Sequence, residues 1–473
     1  MERVSLSYTV DEPTPQLTIE FESLSSRSSS VSQSDNQELQ SNHTEPGTSS
    51  EIFDPDDHRN YPEGGLTAYL VSLGGFTGTV VCMGLINSIG AIQAYVSINQ
   101  LKDTDPIAIS FIFAVYLSLA YSMGVVAGPI FDIYGAKVLL IVSNLLMFAG
   151  LMGSASSKQL WQFILSFISL GIGNGIGLTP IVSAPNHWFL RKRGLITGIV
   201  TAGGSFGGLV FPMLLRHTFD KLGYVSSLRI LAAICFGCMT ISLVLIKTRF
   251  TRPRESLSIK DITWSKFTKL CKDFLNRHND SRFIFVILGS FCTELAQVEL
   301  VTYFVSFFIA QGIPISTCYI LLTVWNGLSI AGRIIPGYAS DSLGKFNVNI
   351  LMISALIVCF FTMWLPFGGD VKVMYLFAVL GGFFLGLILS MLPTCLSQIT
   401  VVSQLGERYG VLNFILSIGN LVGVPIGAAI IGEGSVARYK VFVVFVGALS
   451  IAGTLFYIGA RLVIVGARIN VKV

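Results

Sequence analysis

Charged side chains are scarce in this sequence. Asp, Glu, Lys and Arg make up 12% of the 473 residues, about half of the ~25% that is usual in soluble domains. Hydrophobic residues make up 52%. A soluble chain of this length would form about three domains, and 31 basic and 27 acidic side chains are too few to cover them. The composition therefore indicates an integral membrane protein.

The few charges are also unevenly placed. Residues 1–63 carry 13 acidic and 3 basic side chains, whereas the other 410 residues carry 14 acidic and 28 basic ones. The net charge of +4 averages these two parts and gives no support to a nucleic-acid partner. Residues 1–61 are rich in serine and acids and poor in apolar clusters. We expect them to form a disordered cytosolic tail.

Patterns for catalysis and metal binding are also missing. The chain has no G-x-x-x-x-G-K-[ST] phosphate loop, which argues against an ATP-driven pump, and no nucleophile elbow. The five histidines lack the spacing of metal ligands. Most of the eight cysteines lie singly in apolar runs, so a disulfide framework is not expected. We therefore expect no enzyme, no cofactor and no metal site.

Long apolar runs dominate the chain after residue 65. Each is close to the ~20 residues that a helix needs to cross a bilayer. They predict an all-α membrane protein with twelve transmembrane helices in two six-helix bundles, residues 62–247 and 283–473, joined by a basic loop at 248–282. The predicted spans are residues 66–90, 107–128, 138–156, 160–182, 195–215, 228–247, 283–308, 316–338, 348–366, 372–394, 409–431 and 440–462.

The central loop gives the main signal for orientation. Lys247–Arg282 holds ten basic and four acidic residues, and basic loops face the cytosol. We therefore expect both termini in the cytosol. The spacing of Trp264, Phe267 and Leu270 is typical of an amphipathic helix on a membrane surface, with a solvated linker as the alternative. In the absence of a recognisable sorting signal, we expect the plasma membrane rather than the vacuolar membrane.

An internal repeat relates the two predicted bundles. The second span ends in a G-x-x-x-D-x-x-G loop that contains Asp132 and is followed by Lys137. The eighth span ends in the same pattern around Asp341. Arg193 at the start of the fifth span matches Arg408 at the start of the eleventh. All matched residues lie on the same side of the membrane, so the repeat is parallel, six helices plus six.

The repeated aspartates lie where they can join the two bundles. A carboxylate can accept hydrogen bonds from the free N–H groups at the start of a helix and complement its dipole. By the pseudo-symmetry, we expect Asp132 to face the eleventh span near Arg408, and Asp341 to face the fifth span near Arg193. These contacts, with Lys137 beside them, are candidate cytoplasmic gates. The alternative is an ordinary helix cap at each site.

Four pieces of the sequence carry a family resemblance. They are Pro62–Gly65, Trp188–Gly198, the set Gly203, Gly207 and Pro212, and Asn326–Gly337. In this order they resemble the major facilitator superfamily and, within it, the fungal monocarboxylate-porter family with its yeast homologues. The resemblance covers the chain from Tyr61 onward. It implies the major facilitator fold and secondary active transport of a small organic solute, in that family a monocarboxylate-like anion, by alternating access.

The resemblance is incomplete at the positions that handle protons. Proton-coupled animal members have a lysine in the first span and an aspartate four residues before the arginine of the eighth. Here these places hold Asn87 and Ser329, whereas Arg333 is kept. The solute therefore stays open between a monocarboxylate-like anion, with or without coupled protons, and a vitamin-like or neutral metabolite. A nutrient sensor that signals through the tail is a third alternative.

Ionisable side chains inside the spans are candidates for the site, because burying them in hydrocarbon is costly. Arg333 offers a planar charged fork that matches a carboxylate, with a tie between helices as the alternative. Glu294 and Glu299 lie about 140° apart on the seventh span, so only one can face a central cavity. We favour Glu299 over Glu294 as the proton carrier; a third possibility is that neither couples.

Neutral polar residues in the spans could orient a solute or join neighbouring helices instead. The candidates are Asn87, Asn326 and Tyr303. The expected partners are a small organic solute, protons and the lipid bilayer, and the expected oligomeric state is a monomer.

Overall fold

The structure is a computed structural model that describes residues 61–251 and 280–466, together with Arg468 and Val471. All regular elements in these residues are helical. The predicted tail, apart from Tyr61, and most of the predicted central loop lie outside the described residues. So does the amphipathic helix expected within that loop.

The first half of the chain begins with four helical spans. Helix α1 is Leu66–Ile98, α2 comprises Pro106–Ser122 and Gly124–Tyr134, α3 is Ala136–Ser156, and α4 is Leu160–Ser183. The next helical stretch is Arg193–Leu245, which is interrupted at Gly223. We label residues 193–222 as α5 and residues 224–245 as α6.

The chain reverses direction at Gly223. Gly75 of α1 lies against Val200 near the start of α5, and its neighbour Gly74 lies against Leu245 at the end of α6. The start of α5 and the end of α6 are therefore at the same end of α1. Gly223 has a φ of 73°, a conformation that glycine adopts without the strain that a Cβ would add.

The second half adds six further spans. They are α7 (Ser281–Ala310), α8 (Ile315–Leu343), α9 (Lys345–Cys359, continued by the π-helical turn Phe360–Trp364 and Leu365–Phe367), α10 (Val371–Gln398), α11 (Leu405–Ile431) and α12 (Val436–Val465). Within the described ranges, 11 helices are long and apolar enough to cross a membrane. Because one of them comprises both α5 and α6, the described spans are the twelve that the sequence predicts.

The two halves are packed together at one face of the bundle. One hydrophobic core consists of residues of the second half only. The core of the first half, in contrast, extends into the second half through the end of α10 and the start of α11. The residues that continue it there are Leu392, Leu396, Leu405, Tyr409, Leu412 and Leu416. We call this side, where α1, α5 and α11 begin and α2, α8 and α10 end, the closed face.

Helices α2 and α8 are among those that extend further than the predicted spans. Helix α2 continues to Tyr134 and α8 to Leu343. Asp132 and Asp341 therefore lie in the last helical turns and not in the loops where the sequence analysis placed them. An apolar run ends at the first polar residue, whereas a helix continues as long as its polar side chains find partners.

Helices α1 and α5 pack with their backbones in contact. A Cβ on Gly84 would lie 2.8 Å from the Cα of Gly207, and a Cβ on Gly207 would meet the carbonyl oxygen of Val80. Small residues permit this close approach of two helices in a membrane. The glycines of this pair therefore fix the internal packing of the first half.

Replacement of a glycine in this contact is expected to destabilise the protein. Gly84→Leu should lower the stability of the folded bundle by about 1–3 kcal/mol, the usual cost of overpacking a tight contact. Gly90→Leu is the control on the same helix, since a Cβ there meets nothing within 4 Å. Thermal unfolding followed by fluorescence-detected size exclusion measures both variants. Equal losses at Gly84 and Gly90 would contradict this packing.

Candidate functional site

Asp132 joins the two halves at the closed face. Its carboxylate accepts hydrogen bonds from the N–H groups of Gly406 at 3.0 Å and Glu407 at 2.8 Å, in the first turn of α11. One turn earlier on α2, a Cβ on Gly128 would meet the carbonyl oxygen of Gly406. The absence of a side chain brings the two backbones together, and the carboxylate then satisfies free donors at the positive end of α11.

Asp341 makes the equivalent contact between α8 and α5. Its carboxylate accepts hydrogen bonds from the N–H groups of Gly194 at 2.7 Å and Leu195 at 2.9 Å. A Cβ on Gly337 would lie 2.6 Å from the carbonyl oxygen of Gly194. Asp132 and Asp341 therefore occupy the positions that the repeat predicted, each at the helix start of the other half.

The two arginines beside these contacts behave differently. Arg193 is buried and donates from Nη1 to the carbonyl oxygen of Ser397 in α10, across the boundary between the halves, at 3.0 Å. Arg408 donates to the carbonyl oxygen of Ile399 at 3.1 Å and lies 3.7 Å from the carboxylate of Asp280, both within its own half. Only the contact of Arg193 described here ties one half to the other.

The lysines of the repeat also differ. Lys137 at the start of α3 is exposed. Its counterpart Lys345 is buried and donates from Nζ to Oε1 of Gln398 at 2.8 Å. Lys137 is the lysine predicted as a gate candidate and Lys345 is not, although the repeated pattern contains both. Because Lys345 is buried and Lys137 is exposed, Lys345 is the better candidate for the lysine of the closed face.

Contacts between α5 and α8 continue towards the middle of the bundle. The hydroxyls of Ser205 and Ser329 are 2.7 Å apart. One turn nearer the closed face, Nη1 of Arg333 donates to the carbonyl oxygen of Thr201 at 2.6 Å. Ser329, which stands where the animal transporters have an aspartate, and Arg333 therefore both join the halves.

Glu294 lies in a small cavity between the halves. Its Oε1 is 3.4 Å from Oη of Tyr121, whereas its buried Oε2 has no hydrogen-bond partner among the described residues. The cavity has a volume of about 10 Å³ and is lined from both halves, which is space for a single water at most. A larger solute therefore has no space at this level. The charges of Glu294 and Arg333 are close enough to interact.

Glu299 faces α11 instead of this cavity. A Cβ on Gly423 would lie 3.2 Å from its Oε1, and a Cβ on Gly427 would meet its Oε2. Tyr303, one turn further on, donates to the carbonyl oxygen of Val424 at 2.7 Å. The preference for Glu299 as the cavity-facing acid is therefore reversed in favour of Glu294. The helical angle separates the two acids, but only the packing of α11 decides which of them faces the cavity.

Asn87 and Asn326 lie on uncovered stretches of α1 and α8. Asn87 is exposed, and its Nδ2 is 3.3 Å from the carbonyl oxygen of Gly204. Asn326 is half-buried. Beside them, a Cβ on Gly90 or on Gly327 would meet nothing within 4 Å. Both asparagines therefore have open space beside them, on the side of Glu294 away from the closed face.

The aspartate contacts are expected to open together, because both require the halves to be in contact. Asp341→Asn should accelerate hydrogen exchange of the Gly194 and Leu195 amides by about tenfold or more, since a charge-assisted hydrogen bond is lost. It should also accelerate exchange of the Gly406 and Glu407 amides. Mass-spectrometric hydrogen exchange on the full chain measures both pairs.

The distant amide pair separates the two interpretations of Asp341. A simple helix cap would change exchange at α5 alone. Acceleration confined to Gly194 and Leu195 would therefore contradict the opening of the closed face as one unit. The exposed Lys137 supplies a control variant, Lys137→Ala, for which exchange at both pairs should match the wild type.

The architecture now defines the class of this protein. Two six-helix halves with parallel repeats, joined by polar contacts at one face, are typical of a multi-pass secondary transporter. The sequence profile of the Major Facilitator Superfamily matches residues 66–370. The chain belongs to the Major Facilitator Superfamily, and the predicted fold is confirmed. It is a transporter and not an enzyme.

Fungal transporters of this superfamily are similar along most of the chain. A riboflavin transporter of Saccharomyces cerevisiae is 35% identical over 424 residues, which cover 86% of this chain and 81% of that protein. An MFS-type transporter of Gibberella moniliformis is 31% identical over 421 residues, covering 89% and 96%. These relatives place the chain among fungal transporters of small solutes.

Solved structures share the fold. The proton:xylose symporter XylE has a TM-score of 0.64 at 13% identity, covering 82% of this chain and 94% of that chain. A bacterial homologue of the iron transporter ferroportin, in an outward-facing state, has a TM-score of 0.65 at 10% identity, covering 84% and 99%. At these identities the likeness concerns the fold alone.

Proposed function

We propose that this protein carries a small organic solute by alternating access, with the closed face as its cytosolic gate. The observation that carries the proposal is the pair of contacts from Asp132 to α11 and from Asp341 to α5. Each joins atoms of different halves, so the closed face opens only when both break. Arg193 adds a third link, to Ser397. In this proposal the structure is the state open to the outside.

The cytosolic position of the closed face rests on the basic residues around it. Arg191 and Lys192 lie in the loop before α5 and Arg193 at its start, and the basic central loop leaves the end of α6 on the same side. Basic loops stay in the cytosol. We therefore propose that both termini lie in the cytosol. We also propose that the protein is a monomer in the plasma membrane.

The solute that we propose is a vitamin-like or neutral metabolite of the riboflavin class. The riboflavin transporter of Saccharomyces cerevisiae supports this choice through its similarity over most of the chain. The charges support it too. Asn87 stands where monocarboxylate carriers have a lysine, and Arg333 donates to Thr201 and lies near Glu294, so its charge is partly balanced within the protein.

A monocarboxylate-like anion is the second candidate, and one observation favours it. The Nε of Arg333 is buried and has no hydrogen-bond partner among the described residues. A carboxylate that reached this level after a change in packing could accept a hydrogen bond from the planar guanidinium of Arg333. The two candidates differ in the charge of the solute, which uptake measurements separate directly.

Uptake by the purified protein tests the solute class. Proteoliposomes should accumulate labelled riboflavin in a saturable manner and labelled lactate no faster than protein-free liposomes, because Arg333 already donates to Thr201 between the halves. Arg333→Ala is the discriminating variant. Lactate uptake that is saturable and lost in Arg333→Ala, without riboflavin uptake, would establish the anion carrier instead.

Glu294 is the residue that we propose for proton coupling. Its carboxylate is 2% exposed, has one partner at 3.4 Å, and faces the cavity between the halves. Its Oε2 has no hydrogen-bond partner among the described residues, and its surroundings change when the halves separate, which suits a group that takes up and releases a proton. Glu299 packs against α11 within one half, and its surroundings need not change in this motion.

Substitution of each glutamate distinguishes the two. Glu294→Gln keeps the shape and removes the exchangeable proton, so it should abolish the acceleration of uptake by an inward proton gradient while solute exchange at equal pH continues. Glu299→Gln is the matched control and should retain the acceleration. Riboflavin uptake with and without a protonophore measures both. An unchanged gradient response in Glu294→Gln would exclude this residue as the carrier.

A further inference from the structure

The residues before α1 form a strained segment held by the loop between α4 and α5. We call residues 61–65 the pre-helix segment. Glu63 has a φ of 51°, the only positive value outside glycine among the described residues. Its Oε1 accepts hydrogen bonds from the N–H groups of Leu190 at 2.7 Å and Arg191 at 2.6 Å. Its own backbone N–H donates to the carbonyl oxygen of Trp188 at 3.2 Å. Such strain persists only where surrounding contacts impose it.

The same segment orients Arg193. The guanidinium lies 5.3 Å from the centre of the Tyr61 ring, and its Nη2 donates to Tyr61 Oη at 3.2 Å. Its Nε donates to the carbonyl oxygen of Phe189 at 2.8 Å. These contacts from the first half leave Nη1 aimed at the carbonyl oxygen of Ser397 in the second half. Without them, a long arginine side chain would have many other conformations.

Tyr61 also packs across the boundary between the halves. It forms a small apolar cluster with Phe250, which follows α6, and with Val402, which lies between α10 and α11. The rings of Tyr61 and Phe250 meet edge to face with centroids 5.7 Å apart. The pre-helix segment is therefore part of the surface on which the second half closes.

We infer that Glu63 and Tyr61 are positioning residues of the gate, which hold the loop before α5 and Arg193 in the geometry that closes the cytosolic face. Glu63 acts on the loop and Tyr61 acts on the guanidinium. Loss of either shifts the resting equilibrium towards the open gate. The inference rests on the alternating-access transport proposed above, and it gives the Pro62–Gly65 piece of the sequence a mechanical role.

A cysteine at Ser397 reports the opening of the gate. Ser397 is 2% exposed and lies against Arg193, and Ser397→Cys retains the backbone carbonyl that Arg193 uses. The full-length protein in membranes, without solute, is treated with N-ethylmaleimide. Fragment-ion mass spectrometry assigns the alkylation to position 397 and separates it from the buried native Cys395 in the same peptide.

Glu63→Gln should raise this rate by about tenfold, because the two hydrogen bonds from the loop amides to Oε1 lose their charge assistance. Tyr61→Phe should raise it less, since the ring and its packing remain. Glu433→Gln removes an exposed carboxylate at the opposite face and should leave the rate unchanged. Wild-type alkylation rates in both Glu63→Gln and Tyr61→Phe would overturn the inference.

Two further observations keep the outcome unambiguous. Glu63→Gly suits the positive φ but lacks the carboxylate, so it should alkylate as fast as Glu63→Gln; a wild-type rate in Glu63→Gly would show that the carboxylate has no positioning role. If Glu63 variants do not fold, as judged by size exclusion, Tyr61→Phe decides the test. Because alkylation needs no solute, a protein that fails to take up riboflavin but shows these shifts contradicts the proposed solute and not the gate.

Discussion

The structure depends on direct backbone contact between helices of opposite halves at the closed face. The backbones of opposite halves meet at two crossing points, where Gly128 lies against Gly406 and Gly337 lies against Gly194. Without a hydrophobic driving force between helices in lipid, such close packing and the hydrogen bonds that it permits hold the halves together. Asp132 and Asp341 can reach the amides of α11 and α5 only because the glycines allow it. The contact is therefore tight, and the proposed alternating access would separate its two surfaces as units.

The pseudo-symmetry of the sequence is preserved in the aspartate contacts and lost around them. Arg193 and Lys345 are buried at the closed face, whereas their counterparts Arg408 and Lys137 are half-buried within one half and exposed, respectively. The fifth-span side of the gate therefore has extra polar links, to Ser397 and to the pre-helix segment. The two contacts of the proposed gate therefore differ in the number of polar links that accompany the aspartate.

The middle of the bundle combines a scarcity of charge with close packing. Among the described residues, Glu294 and Arg333 are the charged groups that face the boundary between the halves at this depth, and Ser205 with Ser329 forms a neutral contact beside them. A site whose opposite charges lie near each other presents little net charge to a solute. Such a site suits the neutral solute proposed above, and a family resemblance to monocarboxylate carriers does not by itself determine the solute.

The sequence alone determined the class, the twelve spans and the parallel repeat, because hydropathy and repeated G-x-x-x-D-x-x-G patterns are local properties. It also determined that Asp132 faces the start of α11 and that Asp341 faces the start of α5, since a parallel repeat leaves one symmetric arrangement. Three features needed the tertiary structure. The choice of Glu294 over Glu299 depends on glycines of α11 that are more than a hundred residues away. The burial of Lys345 and not Lys137 depends on where α10 ends. The role of Glu63 appears only when its carboxylate meets the loop before α5. Each is a contact between distant parts of the chain, and sequence spacing does not encode such contacts.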